Sequence, residues 1–236
     1  MKVVTTRWDD GDVNDLRLAE LLFAYGVKGT FYVPLRCDTV SLMNAAEIRS
    51  LRNAGFEIGS HGLTHTPLPA AAEPERELSE SRLRLEDMLG EPILAFCYPL
   101  GRFSRRSAIL ADQAGYRLAR TTVGFRTANE FDCFRPPVSL QFYPHSRKTL
   151  FKHELRSGNL DGIQAWMRRW SMKCDPHSLA SAMLEDTVES GGVFHVWGHS
   201  WEIDRYDLWS ELEDLLKLIS KRPAVSYCTN LELLDR

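Results

Sequence analysis

The chain has 236 residues, 44% hydrophobic and 26% charged, which fits a globular protein and excludes a disordered tail, a collagen-like fibre or a disulfide-knotted miniprotein. Its 29 basic and 32 acidic residues leave a net charge of −3, without the positive excess that nucleic-acid binders usually carry.

Val3 to Trp8 is short, β-branched and aromatic, and predicts a strand. Leu16, Ala19, Leu22 and Phe23 recur at helical spacing, so a helix is expected from 16 to 25, closed by Gly26. A strand over 30–33, a helix over 41–54 stopped by Gly55, and a strand over 56–59 follow. The alternation continues with a charged amphipathic helix over 73–89, a strand over 93–97, a helix over 104–114 and a strand over 116–120. Between 121 and 175 the rhythm breaks. Residues 131–141, with the Pro136-Pro137 pair, read as extended, and a basic stretch (Arg147, Lys148, Lys152, Arg156) precedes a helix over 160–172. A helix over 178–189, a strand over 193–197, a helix over 206–220, a strand over 224–228 and a short terminal helix complete the chain.

Such βα units predict a parallel sheet with helices outside, open or closed into a barrel. No repeat or low-complexity linker divides the chain, so one domain over 1–236 is expected. The insertion at 131–173, with Trp166 and Trp170, is where specificity is expected, because loops on a rigid scaffold carry recognition. The five scattered cysteines, with no C-x-x-C spacing, read as free thiols in a reducing compartment. The first residues lack the apolar core of a signal peptide, and no run of about 18 apolar residues follows. The expectation is a cytoplasmic protein without a transmembrane segment.

In parallel α/β architectures the chemistry gathers at the carboxyl ends of the strands. After the first strand stand Asp9-Asp10-Gly11, where a turn could bring two carboxylates to one pocket, although an acid here could equally cap the next helix, as Asp12 or Asn14 could. The run from Asp10 fails as a calcium loop, because Asp15 and Leu21 replace the required Gly and Glu. After the third strand come His61 and His65. Seven histidines in this length predict about 0.2 pairs four apart by chance, yet the chain has His61/His65 and His195/His199. Two imidazoles on one side of a turn, with Asp10 as third ligand, form the donor set of a catalytic zinc site with open water positions. Cys97-Tyr98-Pro99-Leu100-Gly101 reads as a turn that could aim a backbone N–H into a pocket. His199, last on its strand, suits general acid work, and His195 reads as a core histidine.

The order W-D-D-G, S-H-x-x-T-H-x-x-L, Y-P-x-G and a strand ending in G-H-S resembles the polysaccharide deacetylases, the NodB-homology or family-four carbohydrate esterases. The resemblance implies an α/β fold, a distorted (β/α)7 barrel, and a hydrolase that removes an N-acetyl group from an amino sugar. It implies Asp9 as base and Asp10, His61 and His65 as ligands of a divalent metal, usually zinc. It implies the Leu100 backbone N–H as oxyanion donor and His199 as general acid, and it draws attention to Tyr98 and Arg120 as further oxyanion or substrate residues.

Three departures stand out. Gly62 replaces a usual Ser or Thr, Cys97 takes the place of an Arg that braces the base, and the acid that tunes the catalytic histidine is missing, with Asp132 its only candidate. Arg120 or Arg135 could supply the brace. Without an export signal, the expected substrates are small, lipid-linked or nucleotide-linked sugars, and Arg102, Arg105 and Arg106 could meet a phosphate. Two alternatives stay open: an amidohydrolase acting on a small non-sugar amide or ureide, metal-free in some relatives, and a non-catalytic carbohydrate-binding protein. Homo-oligomerisation is also left open.

Overall fold

A computed structural model describes residues 1–236. Strand β1 (Lys2–Asp9) is buried from Val3 onward and lies at the centre of the sheet. Around it stand β2 (Gly29–Val33), β3 (Glu57–Ser60), β4 (Ala95–Cys97), β5 (Leu118–Arg120), β6 (Leu140–Gln141) and β7 (Gly192–Gly198). Their order is β5-β4-β3-β2-β1-β7-β6, and every pairing is parallel. A two-residue strand β8 (Ser226–Tyr227) pairs with Val3 and Val4, below the point where β2 joins β1 at Thr6. The sheet curls as a distorted (β/α)7 barrel, open between β5 and β6: the alternation predicted the parallel sheet, and the family resemblance implied the barrel. No helix is long and apolar enough to cross a membrane, and all five cysteines are free.

The outer layer consists of α1 (Asp15–Tyr25), α2 (Ala45–Asn53), α3 (Pro74–Leu89), α4 (Arg105–Gln113), α5 (Arg147–Arg156), α6 (Leu160–Arg168), α7 (Pro176–Ser190), α8 (Ser200–Arg205) and α9 (Trp209–Ile219). Strand alternation divides β1 between two environments. Val4 and Trp8 join the main apolar cluster with Leu18 and Leu22 of α1, Ile48 of α2, Met183 of α7 and Leu216 of α9. Burying each such large side chain contributes roughly 1.5–3 kcal/mol. Thr5, Arg7 and Asp9 alternate with them, and Arg7 reaches Trp197 of β7 on the inner side. His195, Tyr32, Cys97 and Arg120 are also buried there, so the barrel interior is unusually polar. Burial, with the cations Arg120 and Arg7 nearby, holds His195 well below its ordinary pKa, so it is a neutral core histidine, as its strand position indicated.

Three element boundaries differ from expectation, each for a local reason. Helix α2 begins at Ala45 rather than 41, because Asn44 accepts bonds from the Ala46 and Glu47 N–H groups while Glu47 accepts from the Asn44 N–H. The predicted helix over 206–220 is α9, which starts only at Trp209 because Asp207 turns the chain at a φ of 52°, and a separate short helix, α8, precedes it over 200–205. The basic stretch after 146 is itself helical, forming α5 behind the cap that Ser146 gives to Thr149. The insertion thus carries two helices. Its tryptophans are structural: Trp166 stacks on Phe125 at 4.9 Å, and Trp166 and Trp170 are both buried in the main cluster.

Candidate active site

All strands run in one direction, so β1, β3, β4 and β7 deliver their carboxyl ends to one mouth. Asp9 is the last residue of β1 and faces inward. Asp10 then adopts a φ of 80° and Gly11 one of 64°. That left-handed turn, costly for a residue with a Cβ, breaks strand alternation and brings the Asp10 carboxylate to the same mouth. Gly11 is required on a second count, because a Cβ there would lie 3.0 Å from Val33 Cγ1 and 3.3 Å from Val33 Cα. No side chain caps α1; Asp12 instead ties the turn before it, accepting bonds from the Asn14 and Ser41 N–H groups.

The turn after β3 holds the two histidines. The His61 N–H bonds to Val33 O, and the Leu35 and Arg36 N–H groups bond to Gly62 and Leu63 carbonyls. Glu77 of α3 grips the other side: its Oε2 accepts the Leu63 and Thr64 N–H groups at 2.9 Å each, and its Oε1 accepts the Thr64 hydroxyl at 2.6 Å. That carboxylate explains Gly62, whose φ is 86° and whose Cβ would stand 3.2 Å from Glu77 Oε2. His65 follows at a φ of 57°.

The result is a convergent donor set. His61 Nε2 lies 3.4 Å and His65 Nε2 3.1 Å from Asp10 Oδ1. The His61 Nδ1 is 2.8 Å from the Cys97 carbonyl, which fixes the tautomer that leaves Nε2 with its lone pair. Asp10 Oδ1 is buried without a hydrogen-bond partner, while Oδ2 accepts the Trp201 indole N–H at 2.9 Å. Burial alone would raise the Asp10 carboxyl, but the His61 and His65 imidazoles beside it and the charge of His199 override this and hold the group well below the ordinary carboxylate range. Two imidazole nitrogens and one anionic oxygen, converging with His61 Nδ1 and Asp10 Oδ2 tied back, fit a divalent first-row metal.

Asp9 and His199 stand on either side of this set. Arg7 Nε lies 3.4 Å from Asp9 Oδ2, and both side chains are buried. The Cys97 thiol is 3.5 Å from the same oxygen. His199 Nε2 is 3.8 Å from Asp10 Oδ2, and its Nδ1 is 2.6 Å from Glu202 Oε2. Burial would depress His199, yet the bond to Glu202 and the charges of Asp10, Glu202 and Asp9 raise it above its ordinary pKa. Glu202 also accepts from Gln141 Nε2 at 3.2 Å. An imidazole with a raised pKa beside a buried carboxylate has the make-up of an acid–base pair.

The mouth is completed by the turn after β4, where Leu100 has a φ of 55° and an exposed side chain. The turn uses the Gly101 and Arg102 N–H groups internally, bonding them to the Tyr98 and Pro99 carbonyls. Beside Trp197, a cavity of about 110 Å³ is lined by Thr122, Gln141, His145, His153, Glu154 and Cys174 among others. Its Gln141 links it to Glu202 and its Trp197 packs 5.4 Å from the His199 ring.

Several sequence candidates lie elsewhere. The Tyr98 side chain is buried in a second apolar cluster with Leu78, Phe96 and Tyr116, away from the mouth. Arg120 points into the barrel interior, where its Nη1 donates to Pro137 O at 2.8 Å, and it pairs with no carboxylate. Arg135 lies over the Phe103 ring, and Asp132 accepts the Phe134 N–H in a loop. Arg102 and Arg105 are exposed, and Arg106 pairs with Glu75 at the surface. The residues that do face Asp9 and His199, Arg7 and Glu202, were not among the candidates. Arg7 shares inward strand parity with Asp9, and Glu202 lies one helical turn after His199.

Over residues 1–119 the chain matches the polysaccharide deacetylase family. That half holds Asp9, Asp10, His61, His65 and Leu100, and His199 lies beyond it. A relative in Bacillus subtilis (strain 168), YxkH, assigned to the polysaccharide deacetylases, is 24% identical over 125 residues, covering 51% of this chain and 45% of its own length. The chain therefore matches less than half of that relative. Among solved structures, a Mycobacterium smegmatis protein assigned to the polysaccharide deacetylases superposes with a TM-score of 0.67 at 17% identity, covering 99% of this chain and 90% of that one. A family 4 acetyl xylan esterase from Clostridium thermocellum, solved with a cobalt ion, gives 0.58 at 18% identity over 99% and 91% of the two chains. At these identities the structures share the fold.

Proposed function

From the premise that this chain belongs to the polysaccharide deacetylase family, we propose that it is a metal-dependent hydrolase that removes an acetyl group from an N-acetylated amino sugar. The observation that carries this reading is the convergence of His61 Nε2 and His65 Nε2 on the unpartnered Asp10 Oδ1, with Asp9 and His199 flanking it. The cobalt in the Clostridium esterase accords with a divalent ion in this fold, and zinc is the ion we assign. A divalent metal on this donor set supplies Lewis acidity to the acyl carbonyl and to the attacking water.

The chain's own groups do the rest. Asp9 accepts the proton of the attacking water. The Leu100 N–H donates to the oxygen that gains charge as the carbonyl becomes tetrahedral. His199, protonated and held by Glu202, delivers a proton from Nε2 to the departing nitrogen, so the products are acetate and a free amine. A domain spanning 1–236, acting on a small, lipid-linked or nucleotide-linked sugar, completes the proposal.

The test is acetate release from N-acetylglucosamine oligomers and from nucleotide-linked N-acetyl sugars, with zinc supplied. Acetate formation lost in both Asp9→Asn and His199→Ala supports the reading. Sugar binding without acetate release favours a carbohydrate-binding protein, and turnover of a ureide instead of sugars favours the small-amide hydrolase.

A further inference from the structure

The mouth of the barrel contains two overlapping metal-capable donor sets, not one. Asp10, His61 and His65 form the first, and Asp9, His61 and the Cys97 thiol form the second, each with its ligand atoms within 4.8 Å of one another. The second set is fully buried and includes a sulfur ligand that zinc and cobalt favour. If a metal took it, Asp9 would become a ligand and could no longer accept a proton.

One buried cation stands against that outcome. Arg7 is fully buried, its Nε lies 3.4 Å from Asp9 Oδ2, and Asp9 is its only ion-pair partner. None of its three guanidinium nitrogens makes a hydrogen bond, and its Cζ sits 4.8 Å from the centroid of the Trp197 ring, which limits where the group can go. The Asp9 oxygen that Arg7 faces is the same one that the Cys97 thiol approaches at 3.5 Å. A dication bridging that oxygen and the sulfur would therefore sit against a fixed positive charge with little water to screen it. The first set faces no permanent cation: the nearest charged group, His199, can release its proton and stands 3.8 Å from Asp10 Oδ2, while Oδ1 faces His61 and His65.

We propose that Arg7 is a positioning residue that reserves Asp9 as the base by excluding metal from the Asp9–His61–Cys97 set. This rests on the reading of Asp10, His61 and His65 as the metal site. The arrangement also accounts for a strand residue that is charged and buried at once, a combination that persists only when paired.

Cobalt(II) absorption tests it, because cobalt bound to thiolate gives a sulfur-to-metal charge-transfer band in the near ultraviolet. Wild type should bind one cobalt per chain without that band. Arg7→Met should gain it, Arg7→Met/Cys97→Ser should lose it again, and Arg7→Lys, which keeps the charge, should lack it. Arg7→Met should also lose kcat by about 100-fold, the scale of a misplaced general base, with KM little changed. A folded Arg7→Met with the wild-type cobalt spectrum overturns the proposal. Where Arg7→Met does not fold, excess cadmium decides on the wild type alone. A cadmium–thiolate absorption that Cys97→Ser abolishes overturns the proposal, and its absence upholds it. A wild type that binds no cobalt overturns the metal reading itself, whereas one cobalt with a sulfur band overturns only the role of Arg7.

Discussion

Replacing Glu202 with Gln removes one negative charge from the His199 pair while keeping the shape and hydrogen-bonding capacity of the side chain. The Glu202 Oε2 is 2.6 Å from His199 Nδ1, and the two side chains are 15% and 17% exposed. At that distance an opposite charge shifts a titrating group by about 1–3 pKa units, and each unit corresponds to about 1.4 kcal/mol. In the proposed mechanism His199 acts as an acid, so it must carry its proton. Burial lowers its pKa, and Glu202 with Asp10 more than reverses this, so the wild type stays active until pH rises through a value above the ordinary one. In Glu202→Gln burial regains weight, and the basic limb of the kcat profile should move to lower pH by about 1–3 units. Above the new limb the variant should lose about tenfold in rate per unit of displacement, and below it should approach the wild type. Acetate release measured from pH 5 to 9 on the metal-loaded protein reads this directly. A basic limb that stays in place, or a loss equal at every pH, refutes the tuning role and leaves Glu202 a purely structural partner.

Two further substitutions probe the supports of the site. Glu77→Ala releases the Leu63 and Thr64 N–H groups, so metal affinity should fall about 10–100-fold, as for other lost outer-shell partners; an unchanged affinity by competitive titration would show that the turn holds itself. Asp15→Asn should stabilise the protein. Both Asp15 oxygens are buried without partners, and burial, together with Asp12, Asp10 and Asp9, raises its carboxyl well above the ordinary range, with Ser200 offsetting part of this. An acid with a raised folded pKa costs stability as pH climbs above its unfolded value near 3.9. The gain in stability, on the order of 1–3 kcal/mol, should therefore appear in thermal melts near pH 7 and shrink near pH 4. A gain independent of pH contradicts it.

The candidate site residues were legible because each follows a strand. Asp9, Asp10, His61 and His199 stand at strand ends that hydrophobic alternation located to within a residue or two, and His65 lies in the turn after β3. What escaped was the layer behind them. Arg7 lies inside a strand, where nothing local distinguishes a buried arginine that serves a neighbour two positions on from an ordinary inward residue. Glu77 sits twelve residues past His65 on a charged helix, and only the docking of α3 against the turn reveals its grip. Glu202 was obscured by the expectation that the helix begins at 206. With α8 starting at Ser200, the i, i+3 relation to His199 becomes visible. Tyr98 and Arg120 show the converse error. Both stand near strand ends, but Tyr98 points outward into packed aromatics and Arg120 inward to a carbonyl. Sequence position alone does not fix that direction once the strand has ended.

The most direct test of the account is the metal content per chain, by mass spectrometry, of wild type and His65→Ala purified without chelator and then supplied with zinc. The account predicts one tightly held zinc ion in the wild type and its loss in the variant, since His65 supplies one of only three converging donors. A folded wild type that remains metal-free after zinc is supplied would contradict it.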